Sequence, residues 1–133
     1  MNSELRSIYA DGVVTPPGYS HAMRVGDLVF AAGQVPIDES GAVIGVGDMA
    51  AQARQAFVNL AAVLEAAGSS TRHIAKLTYF VRDIGAVASI RAVRDEFIDL
   101  AAPPASTLVE VSQLFLPELL IEIEAVAVVA DHA

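Results

Sequence analysis

Apolar residues recur at helical spacing between positions 48 and 67 and predict the longest helix of the chain. Their steps of three or four residues place them on one face of a helix. Asp48 is the expected N-cap, and Gly68 stands where a helix commonly ends in a left-handed residue. Polar residues opposite the stripe, Gln52 and Asn59 among them, are expected to face solvent. The stripe consists of Ala53, Phe57, Leu60, Leu64 and Ala67.

A second stripe at helical spacing predicts another helix over residues 86–100, which Pro103 and Pro104 end. Between the two helices, residues 74–81 are rich in β-branched and aromatic side chains, which favours a strand. The apolar members of the second stripe are Ala86, Ile90, Val93, Phe97 and Leu100.

Short apolar runs elsewhere in the chain predict further strands. Residues 20–25 and 28–33 flank a Gly-Asp pair, which is typical of a two-residue β-hairpin turn. Two more strands are expected at 106–111 and 119–129. The order of strands, helix, strand, helix and strands predicts an α+β fold, in which two helices cover one face of a mostly antiparallel sheet of about six strands.

The last predicted strand is apolar on both faces, which bears on assembly. Its first face, which includes Ile121 and Ile123, has no charge, whereas the other mixes Glu122 and Glu124 with Leu and Val. Two helices cover only one face of such a sheet, so the second face requires another cover. The sequence contains no third layer, and a homo-oligomer is therefore predicted.

Composition narrows the function classes. The length of 133 residues suits a single domain over 1–133, and 54% hydrophobic residues with 18% charged ones exclude intrinsic disorder. A net charge of −8 disfavours binding to nucleic acids and to anionic membranes. The sequence has no cysteine, which excludes thiolate chemistry. Because we recognise neither a leader nor a spanning apolar segment, a cytoplasmic location is expected.

Two carboxylates are the strongest candidates for chemistry. Glu122 and Glu124 are two residues apart on one predicted strand, so their side chains share a face. There they can position water or transfer a proton. The alternative is that each carboxylate pairs with an arginine or lysine of a neighbouring strand or subunit.

The remaining candidates are weaker. His21, His73 and His132 lack the spacing of a metal site, and no metal is predicted. His21 is expected to be structural, and the other two are expected at the surface. Gly33 and Tyr19 are candidate pocket residues. Neither a nucleophile elbow nor a phosphate-binding glycine motif occurs.

Four stretches, in the same order along the chain, resemble the Rid family (reactive intermediate deaminases, also called the YjgF family). Residues 18–34, with Gly-Tyr-Ser-His and Ala-Gly-Gln, are similar to the first hairpin of that family. Residues 52–68 resemble its first helix, and residues 76–83 resemble its central strand. Pro-Ala-Ser-Thr-Leu-Val-Glu-Val at 104–111 and Ile-Glu-Ile-Glu-Ala at 121–125 resemble its C-terminal signature.

The resemblance implies a chorismate-mutase-like fold and a homotrimer with a barrel-like core, outer helices and one pocket at each subunit interface. It also implies hydrolysis of 2-imino or 2-enamino acids to 2-oxo acids and ammonia, without a cofactor. By position in the matching motifs, Tyr19 and Gly33 correspond to pocket residues, and Glu122 corresponds to the carboxylate that places water and protons.

Ser106 departs from the family pattern, which has an arginine directly after Pro-Ala that clamps the substrate carboxylate. Losing that charge-assisted contact corresponds to ~10- to 150-fold in affinity. Ala32 likewise replaces the serine of the family's Ser-Gly-Gln. We therefore expect hydrolysis of a small imine or enamine by a route that does not use this clamp. Backbone groups near Ser106 and Thr107 are expected to bind the substrate, and Tyr19 is expected to cover it.

Other hypotheses stay open at this point. Arg24 or Lys76 of a neighbouring subunit is a candidate to replace the clamp. A non-catalytic trimer that binds a small metabolite or a protein partner is the principal alternative. A third hypothesis, an RNA-cleaving protein, conflicts with the net charge of −8 because RNA phosphates require basic surfaces.

Overall fold

A computed structural model describes residues 4–130 as one six-stranded sheet with two helices on one of its faces. The strands follow the spatial order β1-β2-β3-β6-β4-β5. The predicted α+β architecture, mostly antiparallel with two helices, is confirmed. The elements are β1 (Leu5–Ile8), β2 (Ala22–Val25), β3 (Leu28–Gln34), α1 (Met49–Ala66), β4 (Ile74–Val81), α2 (Val87–Arg94), β5 (Ala105–Glu110) and β6 (Ile121–Val128).

Two strand-helix-strand units explain why both helices lie on the same face. Helix α1 connects β3 to β4, and both of these strands are antiparallel to β6, which lies between them. Helix α2 connects β4 to its parallel neighbour β5. Crossovers between parallel strands have one preferred hand, so both helices return over the same side of the sheet.

The capping signals of the first helix are confirmed. The side chain of Asp48 accepts a hydrogen bond from the Ala51 backbone N–H, and Gly68 takes a φ of +85° beyond the helix end. Four members of the predicted stripe are fully buried against the sheet, and the fifth, Ala67, is 2% exposed. The helix therefore begins and ends almost where the sequence predicts.

Two amides on α1 contradict the prediction of a solvated polar face. Gln52 is fully buried, where its Nε2 donates to the Glu118 carbonyl and its Oε1 accepts from the Leu120 N–H. Asn59 is also buried, and its Nδ2 donates hydrogen bonds to the carbonyls of Val35 and Ile37, at 3.0 and 2.8 Å. Both amides join the helix to loops, because those backbone groups have no partner in the sheet.

The second helix is shorter than the predicted 86–100. After Arg94 the backbone N–H of Phe97 bonds to the Arg94 carbonyl, which tightens the chain into turns. The carbonyls of Phe97 and Ile98 accept from the side chains of Thr71 and Arg72 and so do not continue a helix. The ring of Phe97 stacks on Phe57 of α1, with centroids 5.0 Å apart. Leu100, predicted on the apolar stripe, is 59% exposed.

The strands agree with the sequence except at the start of the chain. The predicted hairpin pairs Val25 with Leu28 across Gly26, which has a φ of +57°. The last strand begins at Ile121 rather than at Leu119. Strand β1 was not located from the sequence, because its four residues, Leu-Arg-Ser-Ile, show no alternation of apolar and polar positions.

The sheet face opposite the helices has no cover within the described chain. Leu28, Phe30 and Val128 on this open face are 43%, 46% and 39% exposed. Their partners across the sheet have small or apolar side chains, so the open face is largely hydrophobic. Among residues 4–130, neither helix is long and apolar enough to cross a membrane.

Replacing Gln52 with alanine is expected to destabilise the fold, because the Leu120 N–H and the Glu118 carbonyl would both lose their partners inside the protein. A buried polar group without a partner costs about 1–3 kcal/mol. Urea denaturation at one fixed protein concentration measures the change. Glu65→Ala, at an exposed position of the same helix, is the control and should change the free energy of unfolding by less than about 0.5 kcal/mol. Equal effects of the two substitutions would contradict a structural role for the Gln52 amide.

Candidate functional site

Glu122 and Gly33 lie against each other on the open face of the sheet. Strand β3 has a bulge between Ala31 and Gln34, where it pairs with β6. A Cβ atom at Gly33 would lie 2.0 Å from Oε2 of Glu122 and 2.7 Å from its Cδ. Only glycine leaves room for this carboxylate, and bulges commonly mark functional sites because they redirect side chains.

The electrostatic surroundings of Glu122 favour its protonated form. Burial, and secondarily the charge of Glu124 on the same face, raises the pKa of the Glu122 carboxyl above its usual value. Within residues 4–130, neither glutamate forms an ion pair with an arginine or lysine. Within the described residues, the alternative that Glu122 or Glu124 pairs with an arginine or lysine of a neighbouring strand is therefore not realised. A carboxyl with a raised pKa is suited to general acid–base chemistry near neutral pH.

Tyr19 contributes to a groove on the same open face. The groove has a volume of about 400 Å³, and Tyr19, Phe30, Ala32 and Glu124 are among its lining residues. Tyr19 itself is 53% exposed at the rim. The structure thus places Glu122 and Glu124 on one face of the sheet, and Tyr19 shares the groove with Glu124 but not with Glu122 or Gly33.

Ser106 and Thr107 point to opposite faces of β5. Thr107 pairs with Thr78 across the strands and lies on the open face, where the Lys76 ammonium donates a hydrogen bond to its hydroxyl. Ser106 pairs with Leu77, a fully buried residue beneath the helices, and so lies on the helix side. The site predicted around both residues is therefore divided by the sheet within a single chain.

A cavity of about 490 Å³ opens beside Ser106, between α2 and the edge of the sheet. Two arginines of α2, Arg91 and Arg94, line it together with the buried Tyr79. Sequence reasoning missed these three residues. The spacing of the arginines, three positions apart on a helix, was the available signal. The other lining residues are apolar: Ile84, Val87, Ile90 and Leu108.

His21 and His73 have the structural and surface roles expected of them. His21 is buried, its Nδ1 accepts from the Ala10 N–H, and its Nε2 donates to the Val14 carbonyl. Both ring nitrogens therefore hold backbone in place. His73 is exposed beside Ser70, and His132 lies outside the described residues. No group of three or more His, Asp or Glu side chains within residues 4–130 is arranged to hold a metal ion.

Comparisons with known proteins give one consistent family. The family model described as "Endoribonuclease L-PSP" matches residues 13–129. A RutC family protein of Pyrococcus horikoshii is 40% identical over 121 residues, which cover 90% of this chain and 94% of the relative. A 2-iminobutanoate/2-iminopropanoate deaminase of Salmonella typhimurium is 40% identical over 113 residues, covering 83% of this chain and 86% of that protein.

The solved structures that resemble this chain belong to the same family as its sequence relatives. The crystal structure of a Rid family protein, YyfA from Yersinia pestis, superposes with a TM-score of 0.88 at 30% identity, over 95% of this chain and 100% of the other. The function of that Yersinia protein is described as unknown. The chain therefore shares both sequence and fold with these proteins over nearly all of its length.

Gly33→Ala is expected to lower the free energy of unfolding by about 0.5–1.5 kcal/mol, because the new methyl group forces the flexible Glu122 side chain into another rotamer. Glu122→Ala in the same chain should restore most of that loss by removing the clash. Chemical denaturation of the two single variants and the double variant gives the coupling energy. Glu124→Ala is the matched control, and it should not restore stability to Gly33→Ala. Additive effects of Gly33→Ala and Glu122→Ala would show that the close contact is not energetically important.

Proposed function

Since the chain belongs to the Rid/YjgF family, we propose that it hydrolyses a small imine or enamine to a carbonyl compound and ammonia. The observation that carries this proposal is the Glu122 carboxyl, half-buried against Gly33 with a raised pKa. The name of the Salmonella relative, an iminobutanoate and iminopropanoate deaminase, supports the same class of reaction.

The proposed reaction requires one water molecule and one group that both accepts and returns a proton. Water adds to the carbon of the C=N bond while Glu122 takes one of its protons. The same carboxyl then gives that proton to the nitrogen, which forms a carbinolamine. Glu122 next takes the proton of the carbinolamine hydroxyl and gives it to the amine, so that the C–N bond breaks, ammonia leaves and the C=O bond forms. A pKa raised toward the working pH makes both protonation states of Glu122 accessible during this cycle. The sum is imine plus water to ketone plus ammonia, so no cofactor is required.

We propose that the reaction takes place at the interface of a homotrimer. Glu122 and Gly33 lie on the open face, whereas Ser106 lies on the helix side of the edge strand. A second subunit placed against β5 would bring its own Glu122 toward the cavity beside Ser106, whereas the two residues of one chain lie on opposite faces of the sheet. Burial of the exposed Phe30 and Leu28 in the barrel-like core supports the same assembly.

The proposed route differs from one that clamps the substrate carboxylate with an arginine in the signature after Pro-Ala. Ser106 is too short to replace such a guanidinium, and Ala32 offers no hydroxyl. Tyr19 would close the pocket from the rim, and Thr107 would bind substrate through its backbone. We also propose a cytoplasmic location for this activity.

The alternative function is a non-catalytic trimer that binds a small metabolite or a protein partner. The missing arginine at Ser106 favours this alternative, because it removes a group on which an arginine-clamped reaction depends. RNA cleavage, which the description of the family model mentions, is disfavoured by the net charge of −8.

Imine hydrolysis is tested by competition with semicarbazide. An amino acid oxidase generates a 2-imino acid, and semicarbazide traps it in a form that absorbs light. Wild-type protein is expected to lower the rate of trapping by converting the imine to the 2-oxo acid. Glu122→Gln is expected to abolish this effect, since an amide neither accepts nor returns the proton. Loss of a general acid–base group corresponds to roughly 10²- to 10⁴-fold in rate.

Glu124→Gln is the control, because it removes a neighbouring carboxylate on the same face and leaves Glu122 in place. It should retain activity within about tenfold, by our assignment of proton transfer to Glu122. An inactive wild type together with an active Ser106→Arg would mean that the pocket serves another ligand. If both are inactive, the binding function becomes the better account.

The trimer is tested by light scattering coupled to size-exclusion chromatography. Wild-type protein at micromolar concentration is expected to show three times the mass of the chain. Phe30→Asp is expected to give a smaller species, because it replaces an exposed apolar side chain of the open face by a charge that is costly to bury against another subunit. Val46→Asp changes an exposed valine in a loop and should leave the trimer intact. A wild-type monomer would refute both the assembly and the interface site.

A further inference from the structure

We infer that Arg91 and Arg94 of α2 bind the carboxylate of the substrate in the cavity beside Ser106. The substrates are then small imines or enamines that have a free carboxylate. The assignment of this carboxylate to a substrate rests on the proposed function, whereas the binding site itself does not. The positive charge that the family pattern places on a strand is supplied here by the facing helix.

The cavity has the size and the lining of a small-molecule site. Its volume of about 490 Å³ falls within the range of roughly 300–1,000 Å³ that is typical of ligand pockets. Its walls are mostly aliphatic, and its polar groups are Ser106, Tyr79 and the two arginines. Such a combination of apolar walls with a few convergent polar groups suits a short aliphatic chain that ends in a carboxylate.

Among residues 4–130, no carboxylate pairs with the positive charge of Arg91. Among residues 4–130 its guanidinium forms neither an ion pair nor a hydrogen bond. It stands one turn before Arg94 on α2, so both side chains extend along the same side of the cavity. A free guanidinium that lines an apolar cavity is a ready partner for a carboxylate, because its planar fork matches two oxygens.

Arg94 is held in place by its neighbour. Its Nε and Nη2 both donate to Oδ1 of Asp95, at 2.9 and 2.7 Å. This contact leaves Nη1 available and fixes the orientation of the guanidinium beside Ser106. Since Asp95 neutralises part of the charge of Arg94, we assign the larger share of carboxylate binding to Arg91. Glu110, whose carboxylate accepts a hydrogen bond from the Ile84 N–H, is not among the residues that line the cavity.

Tyr79 supplies an independent indication of a ligand. Its side chain is 2% exposed, it lines the cavity, and its hydroxyl has no hydrogen-bond partner among the described residues. Burial raises the pKa of Tyr79 to about 12, with smaller opposing effects of Arg94 and Asp95, so the hydroxyl remains a donor at neutral pH. A buried donor without an acceptor is costly, and a carboxylate oxygen in the cavity would satisfy it.

The small side chain of Ser106 keeps open the space between two neighbouring cavities. Ser106 and Arg94 also line a neighbouring cavity of about 280 Å³, so both lie at the junction of the two spaces. A guanidinium at position 106 would occupy this junction and would add a third positive charge beside Arg91 and Arg94. The arginines of the helix and the serine of the strand are therefore compatible features of one site.

The inference is tested by titrating the full-length protein with 2-oxobutanoate, the product expected from 2-iminobutanoate, in an isothermal titration calorimeter. Wild type is expected to bind 2-oxobutanoate and to bind its neutral amide, 2-oxobutanamide, much more weakly. Arg91→Gln is expected to weaken binding of 2-oxobutanoate by ~10- to 150-fold, the loss of one charge-assisted hydrogen bond. Arg6→Gln changes the net charge equally at the opposite edge of the sheet and should leave affinity unchanged.

Tyr79→Phe separates binding from structure. Removal of an unsatisfied hydroxyl should leave the stability of the unliganded protein unchanged or higher, while binding of 2-oxobutanoate weakens. A purely structural tyrosine would show no change in affinity. Equal affinities of wild type and Arg91→Gln, equal binding of acid and amide by wild type, or no binding at all would each overturn the inference.

The imine assay distinguishes failure of this inference from failure of the proposed function. Imine hydrolysis by wild type with an unchanged KM in Arg91→Gln would keep the proposed function and overturn the role of the arginines. Arginine-dependent binding of 2-oxobutanoate without hydrolysis would keep the carboxylate site and reject the catalytic proposal.

Discussion

Both helices pack on the same face of the sheet, and the properties of the opposite face follow from that asymmetry. Strand β6 lies at the centre, so its side chains alternate between a helix-covered core and an open surface. Ile121 and Ile123 fill the core, while Glu122 and Glu124 stand on the open side. Half-burial of Glu122 on this largely apolar face is the main cause of its raised pKa, and the neighbouring charge of Glu124 is the second. The hydrophobic surface and the candidate chemistry thus have the same origin.

The bulge in β3 is a second, local feature that shapes the surroundings of the Glu122 carboxylate. A regular strand would pair continuously with β6 and would place a side chain near the Glu122 carboxylate. The extra residue and the missing Cβ of Gly33 give the carboxylate room without a compensating ion pair. A local irregularity of the backbone therefore determines the environment of the group on which the proposed chemistry depends.

Local sequence patterns were enough to predict the elements that build the core of the fold. The α1 stripe, the hairpin at Gly26 and strand β4 depend on local spacing and turn geometry, which are visible in sequence. The end of α2 was misplaced because its carbonyls bond to Thr71 and Arg72, which are distant in sequence. Buried Gln52 was mistaken for a surface residue for the same reason, since its partners precede β6. Among site residues, family resemblance indicated Gly33 and Glu122, but only the tertiary packing of α2 on the sheet showed Arg91 near Ser106.

The buried Gln52 amide has a consequence for the accuracy of folding. Its two hydrogen bonds, to Glu118 and Leu120, fix the segment that enters β6. A slip of β6 by one residue would exchange the isoleucines for the glutamates and would place two carboxylates in the core. Misaligned pairing is therefore penalised twice, by an unsatisfied amide and by buried charge. The same side chains that build the core and the entry to β6 therefore disfavour incorrect strand alignment.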